Sequence, residues 1–117
     1  MNIEQCDATN DNLMIKLSGE MDAQGCCKIR PDLEQITLQQ QPHIIIDINQ
    51  VSFIDSSGIG AIVFLFKRLK EQKRSMEIIG VKGQPKELMQ LLRMDSAINL
   101  QCVPDVEEGE GELSCTH

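Results

Sequence analysis

Leu13, Ile15 and Leu17 alternate with Met14, Lys16 and Ser18, the period of a strand with one face buried. The turn-favouring cluster Thr9-Asn10-Asp11-Asn12 precedes it, so residues 1–8 and 12–18 predict a starting hairpin. Gly19-Glu20-Met21-Asp22 is expected to end the second strand. From about Ala23 to Gln39 the apolar spacing changes to threes and fours at Cys26, Ile29, Leu33 and Ile36, one face of an amphipathic helix. Pro31 falls inside that stretch and cannot donate a backbone hydrogen bond. Either the segment is irregular up to Arg30 or the regular helix begins near Pro31.

After Pro42, His43-Ile44-Ile45-Ile46-Asp47-Ile48 is a β-branched run without helical period, which predicts a central strand buried on both faces. A second helix fits Ser57 to Gln72, with Ile59, Ile62, Val63, Phe66 and Leu69 on its core side. Lys67, Arg68, Lys70, Lys73 and Arg74 gather toward its C-terminal end, where the helix dipole favours positive charge. Met76 to Val81 predicts another strand. Gly83-Gln84-Pro85 then opens a third helix with Leu88, Leu91 and Leu92 on one side, and Ile98 to Val103 a last short strand. This order predicts an α/β fold: a mixed sheet of about four or five strands with right-handed crossovers, the helices packed mainly on one face.

Length and charge narrow the function. A chain of 117 residues suits one domain. Residues 1–104 are read as the folded unit and 105–117 as an acidic, flexible C-terminal tail, since Glu and Gly there cannot build a core. The net charge of -7 opposes binding to phosphate backbones or anionic lipid, and the lack of Trp and Tyr removes the stacking platforms of single-strand binders. Nucleic acid is therefore not an expected partner. Asp105, Glu107, Glu108, Glu110 and Glu112 carry five of the 18 acids, and the other 13 face 11 bases, so the body is nearly neutral.

Cys6, Cys26, Cys27, Cys102 and Cys115 show no C-x-x-C spacing, and the chain has two His, so no zinc site or other metal is expected. Free thiols in a cytoplasmic protein are the expectation. No apolar run approaches the ~20 residues of a membrane span.

The segment Asn49 to Ala61 carries the candidate chemistry. A buried strand runs into a short loop, Asp55-Ser56-Ser57-Gly58, and then an apolar helix. A Ser or Asp oxygen there can cap the helix, contributing on the order of 1 kcal/mol. Gly58 and Gly60 are not explained by capping, because each costs roughly 1 kcal/mol against Ala inside a helix. They imply that another surface comes close. On the far side of the same helix, Ser57, Gly60, Ala61, Phe64 and Arg68 would form a patch with a partly exposed aromatic among small residues, which suits docking. A phosphate on a serine here would meet the helix dipole and free N–H groups, so phosphorylation need not unfold the domain.

Asp55-Ser56-Ser57-Gly58-Ile59-Gly60, after Ile44-Ile45-Ile46-Asp47-Ile48 and Val51-Ser52-Phe53, resembles the phosphorylation loop of the STAS domains of anti-sigma factor antagonists. Leu17-Ser18-Gly19-Glu20-Met21-Asp22 resembles the family's second signature. The likeness runs from about residue 3 to 103. It implies that Ser56 accepts phosphate from a partner that is both a serine kinase and an anti-sigma factor. The unphosphorylated form would bind that partner and free its sigma factor, phosphorylation would release it, and a serine phosphatase would reset the switch. It also implies that Asp22 and Asp55 lie beside the phosphoacceptor and that Ser57, Gly58 and Gly60 belong to the docking loop. A monomer without cofactor is expected, and the chain would present its serine rather than act as an enzyme.

Two other readings stay open. The same fold could be a constitutive subunit of a membrane transporter complex, with Ser56 only a cap. A small thiol enzyme using Cys26 or Cys27 would need a lowered thiol pKa.

Overall fold

The computed structural model describes residues 1–103, and the predicted acidic tail lies outside the described residues. Strand β1 (Asn2–Ala8) and strand β2 (Asn12–Met21) form the predicted antiparallel hairpin, followed by helix α1 (Ala23–Leu38) and strand β3 (His43–Ile54). Helix α2 (Ser56–Glu71), strand β4 (Ser75–Val81), helix α3 (Gly83–Leu91), a single 3-10 turn and strand β5 (Asn99–Cys102) complete the described chain. The sheet order is β1-β2-β3-β4-β5, with β2 to β5 mutually parallel, so the fold is the expected mixed sheet.

Register aligns the apolar positions into rows. Ile15 pairs with Ile46, Ile46 with Ile78 and Ile78 with Leu100, while Leu13, Ile44 and Met76 form the next row. Leu33 of α1 and Ile62 and Leu65 of α2 meet this face at Ile15, Leu17, Ile46 and Met76. The opposite face carries Lys16, Asp47, His43, Glu77 and Gln101 and is half-exposed. β3 is therefore not buried on both faces: Ile44, Ile46 and Ile48 face the helices, and Ile45 and Asp47 face the open side.

Several predicted boundaries and faces move. β2 does not stop at Gly19, because that residue takes φ +104° and the pairing with β3 shifts register there, so the strand continues to Met21. β3 likewise runs six residues past Ile48 to Ile54, where a loop was expected. Pro31 neither starts nor breaks α1. It lies on the exposed side together with Cys27, the residue whose carbonyl loses its intrahelical donor. The third helix buries Pro85 and Met89, and of its predicted leucine face only Leu88 packs against the core, leaving Leu91 78% and Leu92 51% exposed. Arg74 also leaves the predicted surface cluster: its guanidinium donates to the carbonyls of Gln41 (2.6 Å) and Ile36 (3.1 Å), tying the end of α1 to the start of β4.

Candidate functional site

β2 and β3 end side by side, with Met21 paired to Ile54 and the Asp55 N–H donating to the Met21 carbonyl at 3.2 Å. One residue then separates each strand from a helix, Asp22 before α1 and Asp55 before α2. Both aspartates are extended and both cap. Asp22 Oδ1 accepts from Gly25 N–H at 2.8 Å, and Asp55 Oδ1 accepts from Ser57 N–H at 2.8 Å and Gly58 N–H at 3.2 Å. Each cap stabilises its helix by about 1 kcal/mol. Two helix N-termini thus leave the C-terminal edge of the parallel strands together, where open α/β sheets hold their ligands.

With Asp55 as the cap, Ser56 is left as the first residue of α2, exposed to solvent. The amides of Ser57 and Gly58 are engaged by Asp55, so fewer free N–H groups remain at this helix start than the sequence suggests. A phosphate on Ser56 would therefore gain less from the helix start and would add its charge beside an existing carboxylate.

The two glycines of the loop do different things. A Cβ on Gly58 would sit 2.5 Å from Ile54 Cγ1 and 2.6 Å from the Met21 carbonyl oxygen. The surface that approaches Gly58 is the protein's own, and Gly58 is buried beneath the loop rather than displayed on it. At Gly60 a Cβ would meet nothing within 4 Å, and the residue is exposed.

Ser57, Gly60, Ala61 and Phe64 form one wall of an open groove, and α1 supplies the other through Ala23, Cys26, Cys27 and Arg30, above Leu33. Phe64 is 37% exposed, with the Arg68 guanidinium 5.6 Å from its ring centroid. The α1 wall was absent from the sequence reading, since no local pattern states which helix lies against which. Phe53, two residues before Asp55, is also 40% exposed but does not line the groove. Burial first, then the carboxylates of Asp55 and Asp22, push the Cys26 thiol up, the opposite of the activation a thiol nucleophile needs.

The family model that matches this chain is the STAS domain, over residues 5–109. The chain belongs to the STAS domain family. It is 26% identical over 114 residues to the anti-sigma-B factor antagonist of Listeria monocytogenes, an alignment covering 97% of this chain and 95% of that protein. Among solved structures it is similar to the anti-sigma factor antagonist SpoIIAA in its unphosphorylated form, with a TM-score of 0.73 at 19% identity over 97% of each chain. The phosphorylated form of Bacillus SpoIIAA superposes at a TM-score of 0.68 and 18% identity, over 99% of this chain and 100% of that one. This STAS domain has no described helix long and apolar enough to cross a membrane.

Proposed function

We propose that this STAS domain is an anti-sigma factor antagonist of the cytoplasm, which docks an anti-sigma factor through the α1–α2 groove and is released by phosphorylation of Ser56. The observation that carries this reading is the division of labour at the start of α2: Asp55 does the capping, and Ser56 is exposed beside the groove. The name of the Listeria relative supports the role, and the SpoIIAA structures exist in both phosphorylation states.

The anti-sigma factor would double as the kinase, transferring the γ-phosphoryl group of ATP to Ser56 Oγ while its own base takes the hydroxyl proton and ADP leaves. STAS residues contribute by presentation: Asp22 and Asp55 hold the two helix starts, and Ser57, Gly60, Ala61 and Phe64 provide contact surface. The new charge of about -1.5 to -2, beside the Asp55 carboxylate, then opposes the docked partner. A separate serine phosphatase restores the binding form.

Protein recovered from its own organism and incubated there with lysate and magnesium-ATP should carry one phosphate, and peptide mapping should place it on Ser56. Ser56→Ala should abolish that mass shift. Phosphate on another serine, or none while the protein holds a partner, would turn the reading toward a constitutive subunit.

A further inference from the structure

Gln84 lies in the first turn of α3, and its side-chain amide closes a two-way hydrogen bond with the backbone of Ile54. The Ile54 N–H donates to Gln84 Oε1 at 2.9 Å, and Gln84 Nε2 donates to the Ile54 carbonyl at 2.8 Å. Ile54 is the last residue of β3, with 0% of its surface exposed, and it directly precedes Asp55.

Within a parallel ladder, one residue turns both its N–H and its C=O toward the same neighbouring strand. β4 pairs with β3 only from His43–Ser75 to Asp47–Ile79, so the end of β3 lacks that neighbour. The Gln84 amide offers one acceptor and one donor at strand-like spacing and stands in for it. On the other flank the Asp55 N–H is held by Met21. Lys82 makes no side-chain cap for α3, so the helix start is held by this clamp and by buried Pro85.

We propose that Gln84 is a positioning residue for the Asp55–Ser56 turn: by clamping Ile54 between α3 and β2, it sets where the cap and the exposed serine stand. Its consequence for phosphorylation rests on the partner-switch reading above, while the clamp itself rests on geometry alone. Glutamine suits the task because glutamate lacks the donor, asparagine is one methylene short, and methionine fills the space with neither bond.

Amide hydrogen exchange on the parent protein, Gln84→Met and Gln84→Glu tests the clamp. In Gln84→Met the amides of Ile54, Ser57 and Gly58 should exchange at least about tenfold faster, with those of Leu17 and Ile46 unchanged. In Gln84→Glu the Ile54 amide should stay slow, because the carboxylate still accepts from it. Unchanged exchange at Ile54 in the methionine variant, or acceleration spread evenly over the sheet, would overturn the proposal. With the kinase that modifies the parent protein, Gln84→Met should raise KM about tenfold at constant kcat, since only the fraction of molecules with the turn in place can dock. A fall in kcat at constant KM would contradict a positioning role. Failure of the parent protein to be phosphorylated would refute the partner switch alone, and the exchange contrast would still decide the clamp.

Discussion

Gly58→Ala should cost this domain about 2–4 kcal/mol in denaturant unfolding, whereas Gly60→Ala, two residues further along the same helix, should stabilise it by about 0.5–1 kcal/mol. At Gly58 the new methyl group would drive into the Met21 carbonyl and the Ile54 side chain at less than 3 Å. Backbone oxygen cannot move aside without breaking the contact between β2 and the start of α2. At Gly60 the methyl group meets open space, and only the helix propensity of alanine is felt. A glycine where alanine would be more stable is accounted for if a partner comes close there. Gly60→Ala should accordingly bind the anti-sigma partner about tenfold more weakly despite its greater stability. Equal binding by Gly60→Ala would remove Gly60 from the docking surface.

Phe64→Ala should have the larger effect on binding, a loss of about 2 kcal/mol or roughly thirtyfold, with little change in the unfolding midpoint. Phe64 stands in the groove wall under the Arg68 guanidinium and makes no contribution to the fully buried core. Its ring is a rigid anchor that a partner can cover, and truncation removes buried area from the complex rather than from the monomer. Titration of the purified partner by calorimetry separates the two cases: a large drop in stability with unchanged affinity would make Phe64 a packing residue.

The order of elements, the mixed sheet and the capping of α2 within the Asp55-Ser56-Ser57-Gly58 segment were legible in the sequence because each leaves a local trace. Strand alternation at Leu13–Leu17, helical spacing at Ile29–Ile36 and capping residues before α2 are all short-range signals. What escaped depends on distant neighbours. β3 continues to Ile54 because Gly19–Met21 pairs with it, and that pairing is set by the other strand. Pro31 sits harmlessly in α1 because its side of the helix meets water, which the spacing of Ile29 and Leu33 implied but the local rule for proline overrode. Leu91 and Leu92 looked like core by composition, yet Pro85 and Met89 lie on the buried side. The α1 wall of the groove and the Gln84 clamp, thirty residues from its partner Ile54, are written only in the packing.

Affinity of the purified anti-sigma partner for the unmodified protein and for the protein phosphorylated on Ser56 should differ by at least about a hundredfold, close to 3 kcal/mol, with the unmodified form tighter. Ser56→Ala should bind like the unmodified protein, and circular dichroism of the phosphorylated form should be unchanged. Equal affinity of the two forms for the partner would contradict a switch at Ser56 and leave the groove as a constitutive contact.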